Sequence, residues 1–187
     1  NKGEFISQAV GEVKQTGILG IILAVVILFV FLRRIGTTLV VSMAMPISIV
    51  ATFNLMYFNG LTLNVMTLGG LALGAGMLVD NAIVVIENIT RHLESGATLR
   101  EAAILGTSQV GGAITASTIT TIVVFLPIVY LHGSAGELFR EQAWTVAFSL
   151  ISSLVVAIFV MPMLAKAILR KQKAKPGAEN KYAWYSA

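Results

Sequence analysis

Five apolar runs dominate this chain, each of a length that suits a helix crossing a bilayer, which needs roughly 20 residues, the third being long enough to tilt or protrude. They cover Gly17–Leu32, Leu39–Phe58, Leu63–Ile89, Gly112–Leu131 and Trp144–Leu169. Composition tells the same story: 56% of the 187 residues are hydrophobic, 12% are charged, and the mean hydropathy is +0.85. A soluble domain of this length leaves too much of its surface exposed to hide so many apolar side chains. A bilayer solvates them without penalty. The fold class expected is therefore an all-α, polytopic membrane helix bundle, with about five transmembrane helices and one short surface helix.

The connecting segments carry the punctuation. Residues 1–16 are polar, with Phe5, Ile6, Ala9, Val10 and Val13 spaced as one apolar face, and predict an amphipathic juxtamembrane helix. Arg33 and Arg34 stop the first span, and Asn59-Gly60 marks a tight turn after the second. Pro46 lies inside the second span, where neighbouring helices can satisfy the carbonyl it frees. Thr98 and Glu101 have the spacing of a capping box, which predicts a short surface helix before the fourth span. Residues 132–142 read as a loop, and residues 170–187 as a basic tail outside the bilayer.

Orientation follows from the basic residues. Arg33, Arg34, Arg91, Arg100, Lys166, Arg170, Lys171, Lys173, Lys175 and Lys181 fall on one side, against Lys2, Lys14 and Arg140 on the other. That asymmetry places the first set and the C-terminus in the cytoplasm and the N-terminus outside. The formal charge of +4 thus reports topology rather than nucleic-acid binding. An external N-terminus that begins at Asn1, with no signal peptide, suggests a segment of a longer polypeptide.

One residue stands out chemically. Asp80 lies about nine residues inside the third span, roughly 13 Å from its cytoplasmic end. A charged side chain at that depth costs about 3 kcal/mol on insertion scales, so such residues usually face a bundle interior and mark ion or proton pathways. The plainer alternative is a protonated Asp that pins two helices. Glu87, seven residues on, shares the Asp80 face and reads either as an interfacial acid or as a step toward the cytoplasm. Asn81 points about 100° away and is placed to hydrogen-bond to a neighbouring helix. Thr118 and Thr121 belong to a hydroxyl stripe on the fourth span, with Thr121 at the depth of Asp80, either a polar path or ordinary small-residue packing. Gly70 and Gly74 form a Gly-x-x-x-Gly suited to close helix approach.

Other chemistries find little support. With no Cys there is neither a disulfide nor a thiolate metal site. Met43/Met45 and Met161/Met163 each straddle two helix faces, which disfavours a metal relay. His92 and His132 fall in loops on opposite sides of the membrane. Neither a catalytic triad, a phosphate loop nor a zinc motif is found, so no enzyme, metal or organic cofactor is expected.

The run from Gly74 to Ile89, GAGMLVDNAIVVIENI, resembles the fourth transmembrane helix of resistance–nodulation–division (RND) efflux pumps, most closely the hydrophobe/amphiphile efflux branch. The similarity covers nearly the whole chain. Phe31-Leu32-Arg33-Arg34 followed by Pro46 resembles the second and third helices, Gly60 to Asn64 their connection to the fourth, and Pro127 with Gly133–Arg140 the end of the fifth and its periplasmic turn. The resemblance implies helices two to six of the first repeat of a proton-driven, inner-membrane exporter, which makes the outside, where the N-terminus lies, the periplasm. Such a chain has twelve helices in two repeats and large periplasmic domains. It assembles as a trimer with a periplasmic adaptor and an outer-membrane channel. Acids in the fourth helix bind protons, the coupling ion, opposite a lysine in the tenth. Asp80 falls on one of those acids; the second position is Asn81, a departure that puts a two-carboxylate site in doubt. A protein-export subunit or a heavy-metal efflux pump is the neighbouring reading, and a non-transporting membrane scaffold is the reading from another class.

Overall fold

The computed structural model describes residues 19–20, 22–30, 32–130 and 133–173. The juxtamembrane helix expected over residues 1–16, His132, and the basic tail beyond residue 173 lie outside them. Among the described residues the regular structure is entirely helical. A leading helical segment, formed by the described residues between 19 and 32, precedes α1 (Ile35–Phe58), α2 (Val65–Glu94), α3 (Leu99–Val129) and α4 (Ser134–Val155). A π-helical turn, Val156–Val160, joins α4 to α5 (Met161–Lys173). Helices α1, α2 and α3 and the stretch Phe139–Leu169, which runs through the π turn, are each long and apolar enough to cross a membrane. The chain is an integral membrane helix bundle.

Local chemistry sets the boundaries. Asn64 begins α2: its Oδ1 accepts from the backbone N–H of Met66 and Thr67, and the Thr67 hydroxyl accepts from the Asn64 N–H. This cap puts the start of the helix just after Leu63. At the other end α2 runs beyond Ile89 to Glu94, so His92 lies in its last turn rather than in a loop. The α1–α2 and α2–α3 turns each close with a Schellman pattern. Gly60, at φ 68°, follows α1, with Leu61 N–H bonded to Met56 O and Gly60 N–H to Tyr57 O. Gly96, at φ 90°, does the same after α2 through Ala97 to His92 O and Gly96 to Leu93 O. Both positions need a left-handed backbone that glycine adopts without a Cβ clash.

Two expected elements take a different form. Thr98 and Glu101 do make the capping box, but the helix they start continues unbroken to Val129. The short surface helix is thus the first turns of α3, because nothing between Leu99 and Gly112 breaks the helical hydrogen bonds. The loop expected over residues 132–142 is largely helical from Ser134, with Glu137 in the first turn, where a carboxylate favours the positive end of the helix dipole. The π turn sits just before Pro162. Proline lacks an N–H, and the wide bond of the π turn is made one residue earlier, where Met161 N–H reaches back to Val156 O.

The core lies toward the end of the bundle that carries Arg33, Arg34, Arg91 and Arg100, called here the basic end. Val40 and Val41 of α1, Val85, Ile86 and Ile89 of α2, Ala102 of α3, and Met161 and Ala165 of α5 are fully buried there. Arg34 closes that end through an ion pair with Glu94. The leading segment, whose Leu28 belongs to that core, joins α1 through Arg33, whose φ of 52° is the one left-handed non-glycine backbone among the described residues. A side chain in that conformation costs roughly 1–3 kcal/mol.

Candidate functional site

Helix α2 carries the site, and its two faces are unlike. One face packs against α4. A Cβ added to Gly74 would collide with Ser149 Cβ, and one added to Gly70 would lie 2.8 Å from Gln142 O and 3.0 Å from Thr145 Cβ. Gly70 and Gly74 are therefore the contact points of a close helix crossing. Their partners Thr145 and Ser149 are small and fully buried. The seam is pinned by polar side chains at both ends. At its start Asn64 Nδ2 donates to the Glu141 carboxylate. Farther along, Asn81 Nδ2 donates to Thr118 Oγ1 of α3 at 3.2 Å and to Ser153 Oγ of α4 at 3.5 Å. Both acceptors are buried.

The opposite face is an exposed stripe: Gly69, Ala72, Gly76, Asp80 and Glu87 follow one another at three-, four- or seven-residue intervals. Nothing lies within 4 Å of a Cβ built on Gly76. Asp80 and Asn81, adjacent in sequence, thus look in different directions, as the 100° step of a helix requires. Among the described residues no side chain hydrogen-bonds to or pairs with the Asp80 carboxylate. Seven residues toward the basic end, Glu87 lines a cleft of about 440 Å³ with Leu32, Arg34, Thr37, Thr90, Arg91 and Glu94.

The structure therefore brings Asn81 together with Thr118, and sets Asp80 and Glu87 along one open stripe. It does not bring Thr121 to Asp80: the Thr121 hydroxyl donates to Ser117 O one turn back in its own helix. Such back-bonding is a common way for a membrane threonine to satisfy its hydroxyl. Ser153 is the site residue that reading the sequence missed. Its signal was present, since Glu141, Thr145, Ser149 and Ser153 recur every fourth residue and mark one polar face of α4.

Toward the basic end α2 and α3 are held just as closely. Gly106 of α3 packs onto the backbone of Ile89, and Asn88 Nδ2 donates to Gly106 O at 2.8 Å and to Gln109 Oε1 at 3.2 Å. His92 Nε2 shares the same Gln109 oxygen at 2.9 Å. Met161 is fully buried and Met163 is 70% exposed, so that pair does look in opposite directions. Among the described residues no group of His, Asp and Glu side chains is arranged to hold a metal ion.

Comparison with known proteins gives the setting. The AcrB/AcrD/AcrF family matches residues 1–187. The chain is 37% identical over 176 residues to the multidrug resistance protein MdtC of Enterobacter sp. (strain 638), covering 94% of this chain and 17% of that protein. It is 38% identical over 170 residues to MdtC of Photorhabdus laumondii, covering 91% and 16%. MdtC of Escherichia coli O139:H28 is 37% identical over 170 residues, covering 91% and 17%. The chain thus spans about a sixth of the length of these relatives.

Proposed function

This chain belongs to the AcrB/AcrD/AcrF family of RND transporters, and from that membership we propose that it is the membrane half-domain of a proton-driven multidrug efflux pump in the bacterial inner membrane. Asp80 is the proton-binding residue of a drug/proton antiporter. The observation that carries this reading is the placement of Asp80: mid-span, on the exposed stripe of α2, with no described partner and small residues on the turns before it. A charged side chain in a membrane span is costly and usually has a task, and among the described residues no cation answers this one. The resemblance supplies that cation as a lysine of the second repeat.

The other residues take supporting parts. Glu87, beside its polar cleft, is the next acid on the route from Asp80 to the basic end, which is the cytoplasmic end by the distribution of Lys and Arg. Asn81 and Thr118 hold the back of α2 to α3 and α4, so that the Asp80 face has a fixed orientation. Thr121, occupied with its own helix, is the weakest member of the set. The segment by itself does not transport. In the cell it works within the longer chain, as a trimer, with a periplasmic adaptor and an outer-membrane channel.

The test is Asp80→Asn in the full-length transporter. Proton-coupled efflux is expected to fall to background while membrane abundance and trimer assembly stay at the parental level. Normal efflux by that variant would sink the assignment and leave Asp80 as a helix pin.

A further inference from the structure

We propose that the leading segment carries a binding site for an anionic glycerophospholipid, with the lipid phosphate on Arg33 and one acyl chain along the groove beside it. The groove has a volume of about 530 Å³ and is lined by Val26, Ile27, Val30 and Arg33. Its three apolar residues are all more than half exposed. Val26, Val30 and Arg33 lie at i, i+4 and i+7, so the stripe runs about 10 Å along the helix and ends on a cation.

Two neighbouring arginines make the contrast that carries the argument. Arg34 is engaged within the protein by Glu94. Among the described residues no carboxylate pairs with Arg33, which is exposed and held in a left-handed backbone that arginine rarely adopts. That turn ends the helix, through Arg33 N–H to Phe29 O, and leaves the guanidinium at the mouth of the groove instead of in the bundle. The groove alone gives no selectivity, because lipid tails are as apolar as valine and gain nothing by exchanging one for the other. Selectivity comes from charge. A basic residue at an anionic leaflet is worth about 1 kcal/mol, close to a fivefold preference.

The experiment uses the full-length transporter purified in detergent. Native mass spectrometry counts retained phosphatidylglycerol against phosphatidylcholine supplied at equal concentration. The parent should retain phosphatidylglycerol in preference. Arg33→Gly suits the φ of 52°, so it removes the guanidinium without straining the chain, and should cut that preference about fivefold. Arg33→Lys should keep it. Val30→Trp, which fills the groove with Arg33 in place, should lower retention as well. Equal retention by the parent and Arg33→Gly would overturn the proposal. So would indifference to both the Gly and the Trp variants, which is the result expected if another helix of the longer chain covers the groove.

Discussion

Helix α2 has two faces built from similar residues, and they have opposite fates. Gly70 and Gly74 are closed against Thr145 and Ser149 of α4. Gly69, Ala72 and Gly76 lie on the exposed stripe that leads to Asp80, and Gly76 meets nothing. Small residues make close approach possible, but they do not choose a partner. The partner is chosen by the facing helix, which offers its own small side chains every fourth residue on the first face. Among the described residues the second face has no counterpart, and it carries the carboxylate.

The largest effect that could break this comparison is expected at the seam. Gly74→Val would force α2 and α4 apart, since a Cβ there already collides with Ser149. A loss of about 3 kcal/mol is expected, the upper end for overpacking, read as a lower thermal midpoint in detergent. Gly76→Val should be nearly silent in this segment studied by itself, within about 0.5 kcal/mol, because its Cβ meets open space. In the full-length transporter the same change should lower activity, since on the proposed reading the exposed stripe receives another helix there. If Gly76→Val were silent in both settings, the second face would be lipid-facing and not a docking face.

A smaller loss, about 1 kcal/mol, is expected for Asn81→Ala, which removes the bonds to Thr118 and Ser153 while leaving Asp80 untouched. Equal losses of efflux in Asn81→Ala and Asp80→Asn would erase the distinction between the pinned face and the open one. The smallest effect lies in the polar first turn of α3, before the apolar run that begins at Gly112. The Thr98 hydroxyl and then its backbone N–H hold the Glu101 carboxyl below its ordinary pKa. A depressed acid adds stability above its unfolded-state pKa, and the contribution is lost as pH falls through the folded one. Thr98→Ala should therefore move the Glu101 titration upward, as read by NMR.

Much of this was legible in the residues. Apolar runs near 20 residues long dictate spanning helices, because a backbone in hydrocarbon must satisfy its own hydrogen bonds. The Thr98/Glu101 cap and the Asn59-Gly60 turn follow from local chemistry. Helix lengths were less legible. Leu99 to Val129 is one helix although its first third is polar, since polarity does not interrupt helical hydrogen bonds. The stretch from Ser134 likewise reads as a loop by composition and is helical in fact.

What the chain by itself determined is that Asp80 and Asn81 must face about 100° apart on one intramembrane helix, and that glycines stand on more than one side of it. Only the tertiary structure decided which side closes. Helix α4 takes the Gly70/Gly74 face because Thr145, Ser149 and Ser153 arrive there in register, and Asn81 is drawn inward with them. Asp80 is left on the open side. The physical reason is that periodicity fixes angles within a helix, whereas burial is fixed by the shape and hydrogen-bonding groups of whatever packs against it.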